Sequence, residues 1–160
     1  MIILGIDPGT ARIGYALLNK KENAEVDLIT YGCLELQNKK QAERLAEISR
    51  LISDLIAQHH PVVLAIEQLF FTKNAKTALS VAEARGVIIN AANSLNLEIL
   101  EFTPLEVKVA VTGYGKAEKK QVQKMVCLLL NLEKIPQPDD ASDAIAIGLT
   151  ACYTNQKLKI

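Results

Sequence analysis

A chain of 160 residues, 49% of them apolar, is long enough to fold as one domain, which we expect over residues 1–155 with a short tail over residues 156–160. Its longest largely apolar stretch, about residues 144–152, is too short to span a bilayer. The 18 basic residues balance the 18 acidic ones, so net charge by itself argues against a nucleic-acid-binding protein. No signal peptide is recognisable and the three cysteines have no CxxC spacing, so we expect a cytoplasmic protein with reduced thiols.

Sequence patterns in the first half of the chain predict three strands, a helix and a fourth strand. The apolar run MIILGID ends at a Pro8-Gly9 turn, and the next two strands are predicted to be its antiparallel neighbours. Apolar residues then recur at helical spacing until Pro61, and VVLAIE predicts a short buried strand before a polar loop. The predicted elements are strands over residues 1–7, 13–18 and 27–36, a helix over about residues 45–59, a strand over residues 62–67 and a loop over residues 72–76.

The second half predicts a long helix, a fifth strand and three further helices. The long helix is rich in small residues, which allow close packing against the core or against a second subunit. Thr103 followed by Pro104 is typical of a helix start, with the threonine as the cap. The predicted elements are a helix over residues 75–95, a strand over residues 97–102, and helices over residues 104–113, 117–130 and about 140–153. The order βββαβαβααα predicts an α/β fold with a mixed sheet flanked by helices.

Four carboxylates stand where the pattern predicts core elements. Asp7 ends the first strand, Glu67 ends the fourth, and Asp140 and Asp143 lie on one face at the start of the last helix. Acids are rarely buried unless paired or bound to a cation, and no obvious basic partner lies beside either strand acid in the sequence. A simpler alternative is that Asp139 or Asp140 caps the last helix while the strand acids mark loop edges. Capping explains neither strand acid, so we favour one shared site.

A shared site of four carboxylates requires a counter-charge. Like charges a few ångström apart raise one another's pKa and destabilise the fold, and a divalent cation relieves that repulsion. An all-oxygen set of ligands suits Mg²⁺, with Mn²⁺ as a substitute, whereas zinc is disfavoured because no cysteine or histidine is near these acids in the sequence. Two such ions can clamp the attacking and leaving oxygens of a phosphodiester.

Positive charge is concentrated in one segment although the whole chain is neutral. Residues 103–124 carry five lysines against two glutamates, and setting the four suspect acids aside leaves 14 acidic residues against 18 basic ones. A solvated helix face is the simpler explanation of such a charge run. Phosphate binding is the functional one, because lysines that neutralise phosphates release counterions.

Five motifs carry a resemblance to a known family. GIDPGT, AIEQLFFTKNAKTAL, ARGV, GYGKAEKKQV and DASDAIAIG occur in this order, and together they resemble the bacterial RuvC family of Holliday junction resolvases. The resemblance extends from about residue 3 to residue 152. It implies an RNase H-like fold with a five-stranded mixed sheet, a homodimer, and Mg²⁺-dependent cutting of four-way DNA junctions in recombination and repair, with two ions expected in each subunit.

The resemblance also assigns roles to individual residues. The family's acidic tetrad maps onto Asp7, Glu67, Asp140 and Asp143, where the D-x-x-D spacing selects Asp140 over its neighbour Asp139. An aromatic residue at position 70 would stack on an unstacked base at the crossover. Cooperation with the RuvA–RuvB branch-migration machinery is implied as well. The candidate DNA-contacting residues are Phe70, Lys73, Lys108, Lys116, Lys119 and Lys120.

Three other functions remain open at this stage. The DPGT turn after a first strand also resembles the phosphate loop of actin-like ATPases and sugar kinases, although 160 residues leave no room for a second lobe. A junction-binding protein without catalysis would gain nothing from four clustered acids that repel phosphate. An RNA-cleaving enzyme of the RNase H-like superfamily would be distinguished by comparing junction DNA with structured RNA.

Overall fold

The predicted element order is confirmed by the computed structural model, which describes residues 1–9, 11–36, 40–69 and 75–154 and gives only the backbone of residues 75–77. Part of the predicted loop over residues 72–76 is wrong, because residues 75 and 76 already belong to a helix; residues 72–74 lie outside the described residues. The elements are β1 (Ile2–Asp7), β2 (Arg12–Lys20), β3 (Val26–Glu35), α1 (Gln41–His59), β4 (Val63–Glu67), α2 (Ala75–Ser94), β5 (Glu98–Phe102), α3 (Pro104–Thr112), α4 (Lys119–Leu129) and α5 (Asp139–Tyr153).

The five strands form one mixed sheet in the order β3-β2-β1-β4-β5. The pairs β1–β2 and β2–β3 are antiparallel, whereas β1–β4 and β4–β5 are parallel. Parallel neighbours require crossover connections, and α1 and α2 provide them. The central strands β1 and β4 therefore end at the same edge of the sheet.

Helices cover both faces of the sheet because β1 and β4 are apolar on both sides. Leu4 and Ile6 of β1 pack with Ile48 and Ile52 of α1 and with Ile88 of α2. On the other face, Ile3 and its neighbours pack against α3, α4 and α5. Among the described residues, no helix is long and apolar enough to cross a membrane.

Helix α3 begins as its sequence predicts. The Thr103 hydroxyl accepts a hydrogen bond from the Glu106 backbone N–H at 3.1 Å, and the Glu106 carboxylate accepts one from the Thr103 backbone N–H at 2.7 Å. Pro104 occupies the first helical position, and Gly113 ends the helix with a φ of 74°. This reciprocal capping fixes the segment that follows β5, which borders the candidate site described below.

Helix α5 lies close against β1 and β2 at three glycines, two on the strands and one on the helix. A Cβ added to Gly5 would collide with the backbone of Ala144 and Gly148, and one added to Gly14 would collide with the backbone of Asp140. A Cβ added to Gly148 would collide with the side chain of Leu18. The helix therefore rests on the sheet through its backbone, and its first turn is held over β2.

We expect Gly5→Ala to destabilise the protein by about 1–3 kcal/mol, because the methyl group must push α5 away from the sheet. The matched control is Gly86→Ala in the interior of α2, where an added Cβ meets nothing within 4 Å. Because glycine in a helix interior costs about 0.5–1 kcal/mol relative to alanine, this control is expected to be neutral or stabilising. Urea denaturation measures both, and equal free energies of unfolding for the two variants would contradict the close contact.

Candidate active site

Two of the four predicted acids meet at the edge where β1 and β4 end. Asp7 is the last residue of β1 and Glu67 is the last residue of β4. The parallel register pairs Ile6 with Ile66, so the two acids follow at equivalent positions on neighbouring strands. Both line a cavity of about 210 Å³.

Helix α5 brings the other two acids to the same place. Asp143 lines the cavity with Asp7 and Glu67. Gly14 pairs with Asp7 across β1 and β2, and the backbone of Asp140 lies directly over Gly14. The close helix–sheet contact at the glycine thus sets Asp140 beside Asp7. Gly14 lies within β2 and not in a turn.

The pKa values of the acids record this crowding. Burial, followed by the negative charges of Asp143, Glu67 and Asp140, raises the pKa of Asp7 to about 7. Burial, followed by the charge of Asp143, also raises the pKa of Glu67. The charges of the three other carboxylates therefore all act on Asp7, which places the four acids near one another.

Lys119 is the counter-charge within the site. Its ammonium group lies 2.9 Å from a carboxylate oxygen of Asp143 and 3.2 Å from one of Asp139. Burial raises the pKa of Asp143 more than its hydrogen bond from Lys119 lowers it. A separate hydrogen bond from Lys119 lowers the pKa of exposed Asp139. Lys119, which is half exposed and far from the strand acids in the sequence, also lowers the pKa of Asp7.

Asp139 and Asp140 do not cap α5. The cap residue is Pro138, and no side chain makes a capping hydrogen bond there. Asp139 instead accepts a hydrogen bond from the Gln123 amide at 3.1 Å, in addition to pairing with Lys119. Asp140 faces the guanidinium of Arg12 at 3.7 Å. The capping alternative is thus wrong, and the acids at this helix start are engaged by partners on β2 and α4.

Two of the predicted DNA-contacting lysines lie at the cavity and two lie outside it. Lys108 and Lys119 line the cavity from α3 and α4. Lys116 and Lys120 are exposed, and neither forms an ion pair within the described part of the chain. The predicted contacts at Phe70 and Lys73 lie outside the described residues.

The chemistry of the donors fits a hard divalent cation, but the side chains do not enclose one as they stand. The cavity walls carry three carboxylates, and the negative charge around Asp7 exceeds what Lys119 offsets. Within the described ranges, no three acidic, histidine or cysteine side chains are arranged to hold a metal ion. Lys119 pairs with Asp143 in this arrangement, so an ion would have to displace the ammonium group.

The sequence is similar to one protein family over most of its length. The family model described as crossover junction endodeoxyribonuclease RuvC matches residues 3–151. RuvC of Caldicellulosiruptor saccharolyticus is 47% identical over 150 residues, which are 93% of this chain and 90% of that protein. RuvC of Halothermothrix orenii is 48% identical over 156 residues, which are 97% of this chain and 93% of that protein.

A solved structure agrees with these relatives. T. thermophilus RuvC in complex with a Holliday junction substrate superposes with a TM-score of 0.90 at 28% identity, covering 96% of this chain and 93% of that one. The RNase H-like α/β fold implied by the motifs is confirmed by this likeness. The matched residues include every element that carries the acidic site, and the chain belongs to the RuvC family of crossover junction endodeoxyribonucleases.

Proposed function

We propose that this protein is a Holliday junction resolvase that makes paired symmetric nicks across a four-way DNA junction in recombination and repair, in the cytoplasm. The observation that carries the proposal is the meeting of Asp7, Glu67 and Asp143 in one cavity, in a chain of the RuvC family. The T. thermophilus relative was solved with a Holliday junction substrate, which supports the same class of substrate here.

The carboxylates of Asp7, Glu67, Asp140 and Asp143 would hold Mg²⁺, with two ions in each subunit. The bound metal would lower the pKa of the attacking water and stabilise the leaving 3′ oxygen. In the metal-free protein the ammonium group of Lys119 pairs with the Asp143 carboxylate. If a cation took its place at Asp143, that ammonium group would become available to a DNA phosphate. Arg12 faces Asp140 at 3.7 Å, so it would orient that carboxylate toward the cation from the β2 side.

DNA would be held by the lysines around the cavity and by the segment that follows β4. Lys108 and Lys119 line the cavity, so they can neutralise the phosphates nearest the scissile bond. Lys116 and Lys120 would contact phosphates farther along the strand. We retain Phe70 as the base-stacking residue and Lys73 as a phosphate contact, because both follow Glu67 closely in the sequence.

A homodimer suits this substrate, because a four-way junction has near-twofold symmetry and needs two nicks. Each subunit would supply one acidic site, and the two cuts would leave nicked duplexes that a ligase can seal. Cooperation with a RuvA–RuvB branch-migration complex is part of the proposal and rests on family membership.

The test is cleavage of a synthetic mobile four-way junction by the purified chain, with Mg²⁺ and with EDTA. We expect paired symmetric nicks that require the metal. Linear duplex DNA, structured RNA and ATP serve as alternative substrates in the same assay. Faster turnover of ATP or RNA than of the junction would replace the proposal with the phosphate-loop or RNA-cleaving alternative.

We expect Lys116→Gln/Lys120→Gln to weaken junction binding without changing the cleavage rate of the bound complex. Each lysine that contacts a phosphate contributes about 0.9 to the slope of log affinity against log salt concentration, so losing both should lower the slope by about 2. Fluorescence anisotropy at NaCl concentrations between 50 and 200 mM measures the slope. Over this range a full interface of phosphate contacts loses about 10³–10⁵-fold in affinity. Lys134→Gln, an exposed lysine after α4, is the control. An unchanged slope in the double variant would remove both residues from the interface.

A further inference from the structure

The ARGV motif places an arginine where it contacts the main chain of the site, although no role follows from the sequence. Arg85 lies on α2, and its side chain is only 17% exposed. Its neighbours Ala84 and Ile88 are buried in the core cluster between α2 and the sheet, so the base of the Arg85 side chain is fixed. A largely buried guanidinium requires hydrogen-bonding partners that offset the free-energy cost of its desolvation.

Both partners of Arg85 lie on the strands that border the site. The Nε atom of Arg85 donates a hydrogen bond to the backbone carbonyl of Glu67 at 3.0 Å. A terminal guanidinium nitrogen donates to the carboxylate of Glu101 on β5, and the two groups form an ion pair. Glu101 of β5 is paired in register with Ile66 of β4. The Arg85 guanidinium therefore joins the last residue of β4 to the neighbouring strand.

The hydrogen bond from Arg85 fixes the backbone of Glu67 and does not act on the charge of the Glu67 carboxylate. Burial and Asp143 raise the pKa of Glu67, whereas the positive charge of Arg85 is engaged by Glu101. The next backbone group is also fixed, because the Gln68 N–H donates to the Phe102 carbonyl at 2.8 Å. The end of β4 is therefore held at two successive residues just where the Glu67 side chain enters the cavity.

We propose that Arg85 is a positioning residue that holds the Glu67 carboxylate in the active-site cavity by binding its backbone carbonyl and anchoring it to Glu101. The proposal rests on the function proposed above, in which Glu67 is a metal ligand. In this role Arg85 acts through Glu67 and not by contact with metal or DNA. Outer contacts of this kind orient a ligand, and losing one typically lowers metal affinity or activity by about 10–100-fold.

The test compares Arg85→Met, Arg85→Lys and Glu101→Gln with wild type. Methionine fills the space of the arginine stem but donates no hydrogen bond, and lysine can reach one of the two acceptors but not bind both as the guanidinium fork does. Arg50→Met is the matched control, because Arg50 is an exposed arginine of α1 that pairs only with Asp54 among the contacts seen at its side chain.

Three readouts separate positioning from general destabilisation. In the absence of DNA, calorimetric titration with MgCl₂ should show affinity lowered about 10–100-fold in Arg85→Met, less in Arg85→Lys and Glu101→Gln, and not at all in Arg50→Met. Single-turnover cleavage should need correspondingly more Mg²⁺, with junction affinity in EDTA unchanged. A crystal structure of Arg85→Met should place the Glu67 carboxylate away from Asp7.

Each outcome decides the proposal. Wild-type Mg²⁺ affinity together with an undisplaced Glu67 in Arg85→Met overturns it. If Arg85→Met does not fold, Glu101→Gln alone must still weaken Mg²⁺ binding, and wild-type affinity in that variant overturns the proposal. If wild type neither binds Mg²⁺ nor cleaves junctions, the proposed function fails, and the position of Glu67 in the Arg85→Met crystal structure still supports or overturns the positioning role.

Discussion

Asp7→Asn is expected to abolish junction cleavage while leaving junction binding intact or stronger. Asp7 is the most crowded acid of the site, since Asp143, Glu67 and Asp140 all act on its pKa. The amide keeps the shape of the side chain but cannot supply the negative charge that a divalent cation requires. We expect the single-turnover cleavage rate at saturating Mg²⁺ to fall by about 10³-fold or more, the upper range for losing one electrostatic contact to a reacting centre.

Binding should respond in the opposite direction, because the substitution removes one negative charge from a cavity that must admit a phosphate. Anisotropy titration of the junction in EDTA measures this affinity. Asp54→Asn, an exposed acid of α1 that pairs with Arg50, is the control and should leave both binding and cleavage unchanged. Parallel loss of binding and cleavage in Asp7→Asn would mean that Asp7 maintains the fold and is not a metal ligand.

The same acid makes the metal-free protein less stable as the pH rises. The pKa of Asp7 is about 7 in the folded chain against 3.8 for an ordinary aspartate, so between these values the folded state keeps a proton that the unfolded state has lost. The free energy of unfolding therefore falls as the pH increases from about 4 to 7, and the full loss is present above pH 7. A shift of this size corresponds to about 4 kcal/mol as an upper figure.

Asp7→Asn should remove most of this pH dependence. We expect wild type and the variant to have similar stability in EDTA near pH 4 and the variant to be more stable by a few kcal/mol at pH 8. Glu67 and Asp143 also have raised pKa values, so some decline with pH should remain in the variant. Mg²⁺ should stabilise wild type at pH 8 and stabilise the variant much less.

Urea denaturation at pH 4.5, 6 and 8 measures this dependence, with Asp54→Asn as an exposed-acid control that should follow wild type. Curves of stability against pH that run parallel in wild type and Asp7→Asn would show that Asp7 is ionised at an ordinary pKa. That result would remove the electrostatic argument for a metal at this site while leaving the fold unaffected.

Most of the fold could be predicted because each element carries a strong local pattern. The apolar runs MIILGID and VVLAIE contain β1 and β4, which are buried on both faces. Thr103-Pro104 marks a helix start through cap chemistry that needs no distant partner. The sequence predicts that the last helix begins at about Asp140, one residue late, because its cap is Pro138, a residue that offers no side-chain signal. Local chemistry thus locates elements well and their ends less well.

The site could be predicted only in part. The four acids could be found because a carboxylate at the end of an apolar strand is costly and therefore informative. The partners of these acids could not, because the contact of Lys119 with Asp143 and that of Arg12 with Asp140 join residues far apart in the chain. Arg85 lies in the ARGV motif, but its hydrogen bond to the Glu67 carbonyl could not be predicted, because every residue type has a backbone carbonyl.

The two strand glycines beneath α5, Gly5 and Gly14, also bear on how this protein tolerates change. Where side chains separate a helix from a sheet, a larger residue on one side can be offset by a smaller one on the other. At Gly5 and Gly14 the opposing surface is backbone, so no substitution on the other side can make room for a larger residue. A saturation-mutagenesis map should therefore show these two positions as intolerant as the acids themselves, although neither carries a functional group. Anyone redesigning this scaffold would have to treat the spacing between helix and sheet as a fixed dimension and introduce variety elsewhere.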